Sequence, residues 1–179
     1  MKDARLPRGT AAFPEIVQVH FDGACEPARG GGVATYGFTV EGPGLDYEER
    51  GLAVRPWSPR ATNNVAEYSA ATRALEWLRA RGFKGHVLLF GDSQLVVRQM
   101  KGEYDVKAPH LQEYHRHLLA LASQFDEVRF EWIPRKENGR ADALSKMAFA
   151  EAATTAGSYR PDAPVEPVEE ELAPEDDGT

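Results

Sequence analysis

The chain has 179 residues, 42% of them hydrophobic, enough for one ordinary core and too few for two comfortable ones. Its formal charge is −7, yet residues 161–179 hold eight acids and no lysine or arginine, so residues 1–160 stand at +1 and a nucleic-acid partner is not excluded. A single cysteine, Cys25, rules out an intramolecular disulfide, and no run approaches the roughly 18 apolar residues needed to span a bilayer; a monomeric cytoplasmic protein with no membrane partner is expected.

Residues 1–14 mix charge, glycine and proline without periodicity and read as a flexible lead-in, with one domain expected over 15–156. The run IVQVHFDGAC from Ile16 is apolar and β-branched, and reads as a central strand that ends in Asp22 followed at once by glycine. EPARGGG is a turn; residues 33–40 and 45–54 read as two further strands, joined closely enough to favour an antiparallel meander. A helix is predicted from an N-cap at Thr62 or Asn63 to about Gly82, because Val65, Tyr68, Ala71, Leu75 and Leu78 recur at spacings of three and four. Glu67 lies in its opening turns. Residues 86–90 form a short buried strand with Asp92 directly after it, and the helix between implies a parallel crossover connection.

A short helix over 93–101, a break, and a helix over 110–124 follow, then an alternating strand over 128–133. Pro134 to Gly139 is a loop in which Asn138 suits the cap of a last helix, 141–152, carrying Asp142 in its first turn. Trp57, Trp77 and Trp132 are assigned to packing. Residues 157–179, rich in proline and acids, lack the apolar side chains that would offset ordering entropy and are expected to be disordered. The favoured reading of this tail is an inert, solvated extension; a second is that it competes with nucleic acid for the basic face.

Taken singly, Asp22 suits an Asx turn, Glu67 a solvated helix face and Asp142 a helix N-terminus. Taken together, two acids end apolar strands and two lie on helices that flank the same sheet. Four carboxylates in one place repel, since unit charges about 4 Å apart interact by about 4 kcal/mol even at an effective dielectric of 20. Hard oxygen ligands of this kind select Mg²⁺ or Mn²⁺, and two such ions can serve an in-line displacement at phosphorus. One cysteine and scattered histidines offer no zinc spacing.

The motifs FDGAC, TNNVAEY, GDSQLVVRQM and RADALSK stand in the order of the type 1 ribonuclease H family, which the chain resembles from about Ile16 to Ala150. The resemblance implies an α/β fold with a five-stranded mixed sheet, strand order 3-2-1-4-5, and helices on both faces. It implies that Asp22, Glu67, Asp92 and Asp142 hold the metal, and that the RNA strand of an RNA–DNA hybrid is cut to 5′-phosphate and 3′-hydroxyl ends. Asn63, Asn64 and Gln94 match family positions that contact the hybrid, and Thr62 is expected to contact a phosphate; the other readings are helix capping for the Asn pair and a plain helix surface for Gln94. Cys25 matches a position near the bound groove and also reads as a buried thiol without catalytic duty.

Two departures from the family pattern stand out. The loop IPRKENGRAD lacks the histidine that many members carry before the last acid; Arg135 is placed to contact a phosphate there instead, its other reading being a solvated loop cation, and Lys136 is a weaker candidate. The segment KGEYDVKAPH is too short and charge-balanced to be the basic insertion that grips DNA in some relatives, and is similar to shorter archaeal and retroelement-like forms. Beside the nuclease reading stand a non-catalytic binding module on the same fold and a nuclease that also accepts double-stranded RNA.

Overall fold

The computed structural model describes residues 15–28, 30–156 and 171–173. Five strands form one sheet in the order β3-β2-β1-β4-β5, as the family resemblance implies. β1 (Ile16–Glu26), β2 (Val33–Gly42) and β3 (Leu45–Leu52) form the antiparallel meander. β4 (His86–Gly91) and β5 (Glu127–Trp132) continue the sheet in parallel. β1 runs past Asp22 to Glu26 because β2 stays paired with it as far as Glu26 opposite Val33.

Four helices cover the sheet: α1 (Asn63–Ala80), α2 (Gln94–Met100), α3 (Pro109–Ala122) and α4 (Gly139–Ala156). Thr62 caps α1, its hydroxyl accepting from the Val65 N–H, and Ser93 does the same for α2 through Val96. Phe21, Phe38, Tyr68, Leu75, Leu78 and Leu89 are buried to within 1%, each contributing about 1.5–3 kcal/mol of apolar burial. Among the described residues no helix is long and apolar enough to cross a membrane.

Expectations change at α4 and at Trp132. α4 begins two residues early and runs on to Ala156. Trp77 packs as expected, stacked on Tyr47 at 4.2 Å between ring centroids, but Trp132 at the end of β5 is 44% exposed; its indole N–H donates to the Asp92 carbonyl at 3.1 Å. Most of the acidic tail lies outside the described residues, but residues 171–173 are placed, and Glu171 is hydrogen-bonded to the body of the molecule.

Candidate active site

The site begins with strand register. β1 and β4 run parallel, with His20 beside Phe90 at the last paired position; two residues further along each chain, Asp22 and Asp92 come side by side at the sheet's carboxyl edge. Opposite Asp22 on β2 is Gly37, where a Cβ would lie 2.6 Å from both Leu144 Cβ and the Ser145 nitrogen. Only glycine lets α4 rest there. At Gly23 a Cβ would lie 2.3 Å from the Ala66 carbonyl carbon and the Glu67 nitrogen, so α1 rests directly on β1. Because successive residues point to opposite faces, α4 covers the face of Asp22 and α1 the other.

Asp22, Glu67 and Asp92 thereby each offer a carboxylate oxygen within 4.8 Å of the others. Asp22 and Glu67 are each 3% exposed. Burial, followed by the charges of Asp22 and Asp92, holds Glu67 well above the ordinary glutamate range, although the Gly23 N–H donates to it. Burial likewise raises Asp22 to about 7, with Asp92 and Asp142 adding to the effect and Ser145 and Arg135 opposing it. Asp92 is raised too, again chiefly by burial.

Asp142 stands apart from this trio. Its side chain is 18% exposed and already paired, with Lys146 at 2.8 Å and Arg135 at 3.4 Å. It lies near enough for its charge to raise Asp22 and Asp92, but it is not among the acids whose oxygens lie within 4.8 Å of one another. Arg135 opens a single 3₁₀ turn, Arg135–Glu137. Its guanidinium is 74% exposed, and its charge lowers Asp22, Glu67 and Asp92 alike.

Two side chains that hold the acids escape sequence reasoning. Asn138 occupies the position before α4 as expected, yet its side chain does not cap the helix. It is 1% exposed, and its amide donates to the Phe21 carbonyl at 2.9 Å and to Asp92 Oδ2 at 3.2 Å, tying β1, β4 and the loop before α4 together. Ser145 is fully buried, with its hydroxyl against Asp22 Oδ2 and 2.9 Å from the Asp142 carbonyl. One proton serves one acceptor at a time, and the carboxylate is the stronger. Ser145 was within reach of the sequence, since it follows Asp142 by three and so shares its helix face. No local pattern reveals the partner of Asn138.

The other expected contacts spread along one edge. Thr62 is fully buried as the α1 cap. Asn63, at the start of α1, donates its backbone N–H to the Ala28 carbonyl at 2.9 Å and is half-buried. Asn64 is 7% exposed, with its amide on the Glu171 carbonyl at 2.8 Å. Gln94 is exposed at the start of α2. Cys25 is 8% exposed, and its thiol faces the carbonyls of Ala61 at 3.0 Å and Pro27 at 3.2 Å.

A cation fits this centre. The converging donors are all hard carboxylate oxygens, suited to a hard divalent ion. Glu67 Oε2 is buried with no hydrogen-bond partner, a state that ordinarily costs about 1–3 kcal/mol, and more for a charged group.

A family described as reverse transcriptase-like matches residues 48–148, more than half of the chain. The crystal structure of RNase H1 from Halobacterium salinarum superposes with a TM-score of 0.66 at 36% identity, covering 76% of this chain and 98% of that one. The chain belongs to the ribonuclease H family. The N-terminal RNase H domain of Rv2228c from Mycobacterium tuberculosis is similar too, with a TM-score of 0.68 at 35% identity over 79% of this chain and 98% of that chain. LC11-RNase H1, solved in complex with an RNA/DNA hybrid, has a TM-score of 0.66 at 34% identity, covering 76% of this chain and 98% of that one. The full-length bifunctional protein Rv2228c is longer: the match is 42% identical over 99 residues, 55% of this chain but 27% of that protein.

Proposed function

We propose that the chain is a divalent-metal-dependent endonuclease that hydrolyses the RNA strand of RNA–DNA hybrids. The observation that carries this reading is the trio of Asp22, Glu67 and Asp92 within 4.8 Å of one another, the first two buried and the third half-buried, with Glu67 Oε2 unsatisfied. A binding module has no reason to keep such repulsion, whereas a hard-cation site requires it. The hybrid-bound relative supports the substrate class.

In this reading Asp22, Glu67, Asp92 and, at the margin, Asp142 hold two ions, Mg²⁺ or Mn²⁺. Two such ions supply charge neutralisation, activation of water and stabilisation of the departing oxygen. Ser145 and Asn138 each occupy one oxygen of a carboxylate, on Asp22 and Asp92, which leaves the second oxygen of each free to face the cluster centre. Arg135, exposed and charged at the rim, donates to the phosphate and offsets its negative charge. The oxygen of water bonds to phosphorus, the P–O3′ bond breaks, and the proton lost by water is matched by the one that ends on the 3′-oxygen. The products carry 5′-phosphate and 3′-hydroxyl ends. Asn63, Asn64 and Gln94 lie along α1 and α2 on one side of the acids, where amide groups can read ribose 2′-hydroxyls.

The test is cleavage of matched labelled duplexes, RNA–DNA, RNA–RNA and DNA–DNA, with Mg²⁺ or Mn²⁺, and Asp92→Asn as the inactive control. Cleavage confined to the hybrid's RNA strand is expected. Activity that survives Asp92→Asn or EDTA would overturn the mechanism, and equal cutting of the RNA duplex would widen the substrate.

A further inference from the structure

α3 begins without a side-chain cap, because its N-cap residue is Ala108. A carboxylate from far along the chain sits at that end instead. Glu171 accepts from the Lys107 N–H through both oxygens at 3.1 Å and from the Ala108 N–H at 3.0 Å, while its backbone carbonyl accepts from the Asn64 side chain at 2.8 Å. Asn64 is 93% buried under these contacts and precedes Glu67 by three residues on α1, so the two share a helix face as neighbours. Glu171 therefore docks on α1 one helical turn before Glu67, against a residue placed among the hybrid contacts.

The chemistry of the surface is specific to negatively charged oxygen. Two adjacent backbone N–H groups at the positive end of a helix dipole, with an amide donor alongside, receive a carboxylate or a phosphate equally well. Residues 171–173 lie against the body of the molecule because these donors hold Glu171.

We propose that the surface formed by the Asn64 amide and the Lys107 and Ala108 N–H groups just before α3 is filled by the chain's own Glu171, and that nucleic acid must displace this segment to reach the acid cluster. The inference rests on the nuclease reading above. A segment docked about 80% of the time weakens apparent substrate affinity about fivefold, since only the undocked fraction is competent.

Two measurements on the full-length protein test it, comparing wild type with Glu171→Gln and with Glu175→Gln as a charge control. Amide chemical shifts of Lys107 and Ala108 report docking without any substrate, and KM for a labelled hybrid at low salt reports competition. Expected are shifted Lys107 and Ala108 resonances and a KM lowered about fivefold in Glu171→Gln, the change falling on KM rather than kcat, with Glu175→Gln close to wild type. Unmoved resonances overturn docking. Moved resonances with an unchanged KM overturn competition and leave Glu171 as a helix cap alone. An equal gain in Glu175→Gln also overturns it, the effect then being diffuse charge. If no variant cleaves hybrid at all, the nuclease reading fails and takes the competition with it, an outcome distinct from equal and finite KM values.

Discussion

The acids of this molecule divide into two kinds. Asp22, Glu67 and Asp92 converge in the interior, held by neutral donors, the Ser145 hydroxyl, the Gly23 N–H and the Asn138 amide, and every one of them is pushed toward protonation. Asp142, one helix turn into α4, is partly exposed and already matched by Lys146 and Arg135. Neutral donors orient a carboxylate without cancelling its charge; cations cancel it. The inner trio is thus oriented and left unneutralised, the arrangement that gains most from a divalent ion, whereas the outer acid is content without one. Buried like charges near each other are unfavourable on their own, so the inner trio trades folding stability for a place to bind a cation.

The largest test of that contrast is Asp22→Asn. Turnover should fall by more than about 100-fold, beyond what loss of an outer supporting partner costs, while the metal-free protein at pH 8 becomes more stable by calorimetry. A lower melting temperature would show that the trio is not under electrostatic strain.

Acidity should show the same thing in the wild type. The folded pKa of Asp22 lies near 7 against an ordinary 3.8, so the folded state holds the proton more tightly. That contribution is fully present below about pH 4 and is lost as pH rises through 7, by up to about 4 kcal/mol. Denaturant titrations in EDTA should therefore show stability falling from pH 4 to pH 8, and a divalent ion at neutral pH should restore much of it. A stability that rises over this range would contradict the assignment.

Asp142→Asn breaks the comparison from the other side. It should lower turnover yet leave metal-free stability unchanged or slightly reduced, because it removes two ion pairs that are partly exposed and worth at most about 1 kcal/mol each. A stabilisation like that of Asp22→Asn would place Asp142 with the inner trio after all.

Asn138→Ala frees Asp92 Oδ2 and the Phe21 carbonyl together. A loss of roughly 10- to 100-fold in metal affinity or turnover is expected, with about 1–3 kcal/mol of stability. Metal titration by calorimetry separates the two. The smallest effect belongs to Arg135→Ala, which should lower turnover modestly with metal binding intact; unchanged kinetics would remove the guanidinium from the site and return it to the solvent.

Much of this architecture was written locally. Alternating and apolar runs announced all five strands, the three- and four-residue spacing of Val65, Tyr68, Ala71, Leu75 and Leu78 announced α1, and Thr62 announced its start. Asp92 was legible because an acid directly after an apolar strand lands at the sheet edge; Asp22 was marked out by the same pattern, although β1 pairs with β2 as far as Glu26 and Asp22 lies at an edge only because its pairing with β4 stops at His20. What local pattern could not carry was everything that depends on who meets whom. Asn138 has the look of a helix cap, and only the approach of β1 and β4 turns its amide toward Phe21 and Asp92. Trp132 has the composition of a core residue, and only its place on the last strand leaves it at the rim.

The sequence by itself determined the elements, their order and the four positions from which acids could meet, because strand and helix periodicity are short-range consequences of backbone geometry. Tertiary structure alone decided that Gly23 and Gly37 admit two helices onto opposite faces of one strand, that Asp142 is neutralised while its three companions are not, and that Glu171 docks beside Asn64. Those outcomes depend on contacts between residues dozens of positions apart, where burial and distance set the energy of a charge and no spacing along the chain records either.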